Sequence, residues 1–375
     1  MMKLFRIAIL FLVCTFVLVH GQSYAQSSEK GPLRVAVVGT SHGHVPWILG
    51  KKDQSKVKLT GVYEPDPKLA AQRIKTYKLN GSLFYTDLAK MLDEVKPEAV
   101  VVFGSVFDHE MAVKACAPRG IHVMVEKPLA TTVAQATNMA ALAKKYNIHL
   151  LTNFETSWYA SNEKAFQLVN DSNYVGKVRK VVIHDGHQGP REIGVGQEFF
   201  DFLTDPVLNG GGALMDFGCY GANLMTYLMH GQQPLSVTAV TRQYKPEIYP
   251  KVDDDATIIV NYPDAQCVIQ ASWNWPFNRK DMEIYGTTGY VFALDNNHMQ
   301  LRAKNDREAH NRVVTAKDIP VYEDPFAYLA DVVQGRITVA ENGLYSLENN
   351  LMVVRILEAA KESAKTGKTV VMNAR

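Results

Sequence analysis

Cysteine is scarce in this chain, with 4 in 375 residues. Cys14 falls in an apolar leader, and Cys116, Cys219 and Cys267 are an odd, widely spaced remainder. That excludes a disulfide framework, and the gaps lack the short spacing by which cysteines hold a metal. Net charge is missing as well. The formal total is +2, but the leader holds Lys3 and Arg6 and no acid, so the rest of the chain balances at zero. With no basic patch, nothing favours a nucleic-acid partner. Past the leader there is no apolar run of the roughly 20 residues that a membrane span needs. Internal repeats and low-complexity segments are also absent.

The start of the chain carries one short apolar run. A basic stretch, MMKLFR, leads into IAILFLVCTFVLV, and the chain then turns polar through SYAQSSEKG. This reads as a secretory signal peptide over residues 1–25, with Ser23 and Ala25 as the small residues that mark cleavage after Ala25. The run is too short for an anchor, and Val13 is too large for a lipidation signal before Cys14. No Arg-Arg pair is present, so the expected route delivers an unfolded chain to the periplasm or the exterior.

Residues 32–152 alternate short apolar strands with helices. LRVAVVG, VKLTGVY, EAVVVFGS, IHVMVEK and IHLLTNF read as strands. VPWILGKK, PKLAAQRIKTYKL, DLAKMLDEV capped by Thr86, HEMAVKACAPRG and TTVAQATNMAALAKKYN read as helices. The alternation predicts an α/β fold whose parallel sheet is covered on both faces, a Rossmann dinucleotide-binding domain. Residues 153–375 differ. DATIIVNY, AQCVIQASWNW, KDMEIYG and YVFALD are longer, alternating runs joined by tight turns, as in a large, mostly antiparallel open sheet. A glycine-rich helical segment, GGGALMDFGCYGANLMTYLMHG, precedes them, and a helix from SLENN to AKTG closes the chain.

The turn after the first strand is GTSHGH. Of a G-x-G-x-x-G fingerprint only Gly39 is in place; Ser41 and His44 stand at the second and third glycine positions, and Gly43 comes one residue early. Glu64, in VYEPDP at the end of the next strand, is placed to accept both hydroxyls of an adenosine ribose. An acid there disfavours a 2′-phosphate, and so favours NAD over NADP. His42 and His44 have the i, i+2 spacing of a chelating pair, but no further ligands pair with them in sequence, so no metal is expected. They either contact the cofactor or flank the nicotinamide.

Lys127, in VEKPLA, follows a strand at the edge where open α/β sheets bind ligands, and its place before a proline favours an extended backbone. Glu126 beside it is expected to orient the backbone near the cofactor. Asp216 and Tyr220 are four apart, on one face if the segment is a single helix, with Asn223 one turn beyond. A phenol is a poor base at neutral pH, but a nearby ammonium, Lys127, would lower it. His187 and Arg191, in the donor-rich HDGHQGPREIG, are candidate contacts to a polyhydroxylated substrate or ordinary surface groups. Trp273, with Trp275, presents either a sugar-stacking face or core or dimer-interface packing.

AVVG, EPDP, EKPLA and GGGALMDFGCYG, in that order, resemble the Gfo/Idh/MocA oxidoreductase family, and the resemblance spans nearly all of the chain after the leader. It implies a Rossmann domain followed by an α/β domain whose open sheet often forms a homo-oligomer. It also implies NAD and a sugar or glycoside substrate, and export leads us to expect that the NAD is tightly bound. Lys127 matches the family's EKP lysine and Asp216 the aspartate of its second motif. Many members carry histidine where this chain has Tyr220; glucose–fructose oxidoreductase is similar in carrying tyrosine. The implied roles are Tyr220 as base, Lys127 holding the reacting oxygen, and Asp216 orienting sugar or base. Export implies that the cofactor is reoxidised within each cycle, either by coupling two sugars or by the transient oxidation of an NAD-dependent glycosidase. A non-catalytic sugar-binding protein is the alternative of another class. Protein produced with its leader is expected to begin at Gln26 by intact-mass measurement, and a retained Met1 would rule the signal out.

Overall fold

The computed structural model describes residues 31–372 other than 316 and 323; the leader and its cleavage point lie outside the described residues. Its first strands are β1 (Leu33–Val38), β2 (Val57–Tyr63), β3 (Phe84–Tyr85), β4 (Ala99–Val102), β5 (His122–Glu126) and β6 (Leu150–Asn153). They pair in parallel in the order β3-β2-β1-β4-β5-β6. β1 and β4 are valine-rich and bury nearly every side chain, as befits strands covered on both faces. The order reverses between β1 and β4, so a crevice opens above their carboxyl ends.

The connecting helices are α1 (Pro46–Leu49), α2 (Pro67–Tyr77), α3 (Leu88–Val95), α4 (His109–Cys116) and α5 (Val133–Tyr146). Asp66 caps α2 by accepting the Lys68 amide at 2.8 Å, with Pro67 at the first helical position. The cap of α3 is Asp87 rather than Thr86: Asp87 is the last extended residue, and its carboxylate takes the Lys90 amide at 3.0 Å. Where a helix was expected over VPWILGKK, α1 makes a single turn and stops at Gly50.

Beyond residue 153 come α6 (Ala160–Asn170), β7 (Val178–Gly186), α7 (Gln197–Leu203), α8 (Ala213–Asp216) and α9 (Gly218–Leu228). Strands β8 (Ser236–Arg242), β9 (Asp255–Asn261), β10 (Gln266–Ser272), β11 (Arg279–Gly286), β12 (Gly289–Ala293), β13 (His298–Ala303) and β14 (His310–Val313) follow. The chain ends in α10 (Pro325–Val333), α11 (Leu347–Thr366) and β15 (Val370–Val371). The sheet runs β14-β13-β12-β11-β7-β10-β9-β8-β15, antiparallel except between β7 and β10. One face carries α9 and α11. A side chain at Gly221 would meet Ile269 Cγ2 at 2.6 Å, so glycine sets how closely α9 approaches the sheet. On the opposite face Val182, Ile259 and Val268 are only partly buried.

The short α1 leaves part of the first sheet to be covered from elsewhere, and α10 covers it. Phe326 and Leu329 join Val35, Val37, Ile48 and Leu49 in one core. The nucleotide domain is thus completed by residues near the end of the chain. Phe326 is 1% exposed, so Phe326→Ala is expected to cost about 3–5 kcal/mol in chemical denaturation. Amide exchange should quicken in β1 and β2, and a loss of protection confined to α10 would contradict this shared core.

Candidate active site

β1 runs into the nucleotide turn at Gly39. Its φ is +75°, and a Cβ there would lie 2.7 Å from the backbone of Gly104, so glycine is required on two counts. Glu64 holds the turn from β2. Its Oε2 accepts the Thr40 amide at 2.9 Å and hydroxyl at 2.5 Å, and its Oε1 accepts the Asp66 amide at 3.0 Å. A carboxylate has about four acceptor positions, so one remains toward a cleft of about 150 Å³ lined by Gly39, Ser41, Glu64 and Asp108 among others, enough for one ribose hydroxyl rather than the two expected. Two acids at this cleft oppose a 2′-phosphate. Arg73, the cation beside the turn, is engaged by Thr40 O at 2.8 Å and Glu198 at 2.5 Å.

The two histidines are fixed by hydrogen bonds. The His44 amide donates to His42 Nδ1 at 3.1 Å, so a neutral His42 carries its proton on Nε2. His42 is buried against Phe199, at 4.8 Å between ring centroids, and burial takes its pKa down to about 3. The His44 ring lies flat on Trp47 at 3.8 Å and places Nδ1 3.1 Å from Glu126 Oε2. Glu126 Oε1 accepts Asn153 Nδ2 at 2.7 Å, and Asn153 Oδ1 accepts Trp158 Nε1 at 3.0 Å. Burial alone would raise Glu126, but the two imidazoles and Asn153 hold its pKa down to about 2. Glu126 therefore orients an imidazole rather than the backbone. Donor atoms of His42, His44 and Glu126 lie within 4.8 Å of one another, yet each imidazole already commits one nitrogen inside the cluster.

Lys127 leaves the end of β5 and meets the second domain. Its Nζ donates to the Asp216 carboxylate Oδ1 and, at 2.9 Å, to the Asp216 carbonyl. Asp216 Oδ2 accepts Trp273 Nε1 at 3.0 Å. Burial opposes both charges. Even so, each partner favours the other's charged form, leaving Lys127 above and Asp216 below its ordinary pKa. The single helix expected through Asp216 and Tyr220 is two, because α8 ends at Asp216 and α9 starts at Gly218.

Tyr220 lies between two ammoniums, Lys127 Nζ at 5.1 Å and Lys280 Nζ at 4.9 Å from its ring centre. Burial, with Glu155 and Asp216 nearby, nevertheless pushes the phenol well above its ordinary pKa. The lowering expected from Lys127 does not occur, because that charge is neutralised by Asp216. Tyr220 is a neutral hydroxyl here.

Below this centre lies a cavity of about 570 Å³ lined by Glu155, Tyr159, His187, Asn278, Lys280 and Asp281 among others. His187 faces it. Its Nδ1 accepts the Gly189 amide at 2.9 Å, and burial takes its pKa down to about 4. The other expected substrate contacts are elsewhere. Arg191 is exposed, with its guanidinium 3.8 Å over the Phe200 ring. Asn223 is wholly buried, donating to the Leu344 carbonyl at 2.8 Å. Trp273 is also wholly buried and follows the end of β10, so it braces Asp216 and offers no stacking face.

Sequence reasoning missed three groups here. Lys280 pairs with Glu155 across the crevice, and Asp185 lies opposite Lys280 on β7 with neither carboxylate oxygen hydrogen-bonded. HDG and FNRK contained two of them, but only the β7–β11 register brings them together.

Two family models match in succession: the oxidoreductase family NAD-binding Rossmann fold over residues 33–154 and the GFO/IDH/MocA C-terminal domain over residues 162–292. The chain belongs to the Gfo/Idh/MocA oxidoreductases. It is 28% identical over 226 residues to trans-1,2-dihydrobenzene-1,2-diol dehydrogenase of Xenopus tropicalis, a span of 59% of this chain and 61% of that protein. Aldose-aldose oxidoreductase from Caulobacter crescentus, solved with glycerol, superposes with a TM-score of 0.75 at 23% identity, covering 91% of this chain and 100% of that one. An inositol dehydrogenase homolog from Azotobacter vinelandii, solved with NAD+, gives 0.78 at 17% identity, covering 91% and 98%. At these identities the two structures share a fold with this oxidoreductase.

Its Rossmann domain fits NAD at the adenosine end, where Gly39 leaves the cradle open and Glu64 and Asp108 face the cleft. The unpartnered Asp185 has a consequence for stability. Burial holds its folded-state pKa well above the ordinary value, so the unfolded chain ionises first and stability is lost as pH rises from about 4. Asp185→Asn is expected to raise Tm at pH 7, with the gain vanishing below about pH 3.5. A pH-independent difference in thermal melts would contradict this.

Proposed function

We propose that this oxidoreductase moves a hydride between a ring carbinol of a sugar or glycoside and the nicotinamide of NAD. The observation that carries the proposal is the buried Lys127–Asp216 pair at the end of β5, near a cavity of about 570 Å³ whose lining includes Glu155, His187 and Lys280. An ammonium has three donors. Asp216 takes two of those on Lys127, leaving one for the oxygen of the reacting carbinol, where negative charge develops on oxidation. A bound nicotinamide would supply the hydride acceptor. Gly39, Ser41, Glu64 and Asp108 would hold the adenosine half. Tyr220 keeps its proton and donates from its hydroxyl. His187, with its proton on Nε2, donates to a substrate hydroxyl, and Glu155 and Lys280 supply an acceptor and a donor on the cavity wall. The glycerol complex of the Caulobacter enzyme and the NAD+ complex of the Azotobacter protein support this reading for a chain of the same fold.

On the strength of its leader we place the enzyme outside the cytoplasm, where no free NAD pool exists and a tightly held cofactor must be reoxidised within the cycle. We also propose self-association through the uncovered face of the nine-stranded sheet, supported by its half-buried Val182, Ile259 and Val268. Among the described residues no helix is long and apolar enough to cross a membrane.

Purified protein is expected to release NAD on denaturation and, with a panel of free sugars and glycosides, to yield a keto-sugar by mass analysis. Aglycone released without net NADH would select the glycosidase course, and protein that binds sugar without NAD would leave only a binding role. Lys127→Met should lower kcat by about 10²-fold or more while NAD remains bound; wild-type turnover in that variant would remove Lys127 from the chemistry.

A further inference from the structure

We propose that His44, backed by Glu126, accepts the carbinol proton, a role that rests on the hydride-transfer reading above. Oxidation of a carbinol must send a proton somewhere as the hydride leaves its carbon. Lys127, Asp216, Tyr220 and the other histidines near the crevice are each unsuited to take it. Lys127 is held charged by Asp216, whose own oxygens are engaged by Lys127 and Trp273. Tyr220 is neutral and could accept only after losing a proton that burial holds on it. His42 and His187 each accept a backbone N–H at Nδ1, so both present N–H, not a lone pair, at Nε2. His184 has a carboxylate partner, Asp281, but lies on the other face of β7 from Asp185 and Lys280.

His44 has the opposite polarity. Glu126 is ionised and can only accept, so the neutral imidazole carries its proton on Nδ1 and leaves the Nε2 lone pair free of any protein donor among the described residues. The ring cannot turn away easily, since Trp47 lies against one face and the His44 amide is tied to His42. Behind Glu126 the Asn153 and Trp158 bonds fix the carboxylate in turn. A carboxylate orienting an imidazole tautomer is a general-base arrangement. The titratable groups that interact with it are the neutral His42 on the turn, Glu126 on β5 and Glu155 after β6; Lys127 and Asp216 act on its neighbour His42.

In the step, the O–H bond breaks and its proton goes to His44 Nε2. The electron pair of that bond forms the carbonyl, and the C–H pair leaves as hydride to C4 of NAD+. The side chain is 20% exposed, so the imidazolium returns its proton to solvent. Reduction runs the same path backwards.

The test combines long-range ¹H–¹⁵N NMR of the resting protein with pH–rate profiles of the NAD-loaded enzyme on whichever sugar it oxidises. The NMR spectrum should place the His44 proton on Nδ1, and Glu126→Gln should move it to Nε2, because the new amide can donate to Nδ1. His44→Gln should lower kcat about 10²- to 10⁴-fold, abolish the acid limb of the profile and recover rate with added imidazole. Glu126→Gln should lower kcat in the same direction, and it serves if His44→Gln does not fold. A proton on Nε2 in the wild type, an unchanged pH profile, a weakened NAD Kd with kcat intact, or stoichiometric Zn²⁺ bound at His44 would each overturn the proposal. Absence of turnover in the wild type would instead defeat the hydride-transfer reading, and the NMR result would still decide the tautomer.

Discussion

The contact between Lys127 and Asp216 is the one on which the site depends. Both groups are buried, and each would be costly without the other: breaking such a pair typically destabilises by about 3–5 kcal/mol. The lysine comes from the end of a parallel strand and the aspartate from a one-turn helix 89 residues later. Their pairing therefore joins the nucleotide domain to the second domain at the end of β5. It also decides the state of the neighbours. Because the ammonium is neutralised locally, Tyr220 gains little from it and stays protonated. Because Trp273 donates to the second oxygen of Asp216, the carboxylate is held in place beside the lysine.

The sheet order was readable because buried parallel strands announce themselves as short runs of β-branched residues, and the helices between them repeat at 3.6 residues. Lys127 was readable for a similar local reason, being placed by the strand before it and the proline after it. What failed depended on contacts remote in sequence. The break at Phe217 is invisible to helix periodicity, yet it frees the Asp216 carbonyl for Lys127. Trp273 and Asn223 looked like ligand contacts by residue type, and only the packing of β10 and α11 shows that both are enclosed. Asp185, Glu155 and Lys280 come from three separate segments, and no local pattern predicts their convergence.

The turn GTSHGH now has a physical account. Gly39 alone satisfies the backbone demand, since it alone in that turn combines a positive φ with backbone packed against its missing side chain. Thr40 replaces some of the work of further glycines by locking to Glu64. The departures from the usual pattern, His42 and His44, lead away from the cleft at Gly39 and Glu64 and toward Glu126, so one loop borders that cleft on one side and meets the end of β5 on the other.

The sharing of α10 with the first sheet bears on how the molecule is made. A ribosome releases β1 long before residue 333, and until then the apolar face that α10 covers has nothing of its own to bury it. The nucleotide domain is thus first to be synthesised and among the last to be finished. Wherever the chain folds, the valine and isoleucine of that face stay exposed until α10 docks on them. For engineering, cutting the chain between its two sheets would leave that apolar face bare, whereas a circular permutant that begins just before α10 would carry its cover in the same half of the chain.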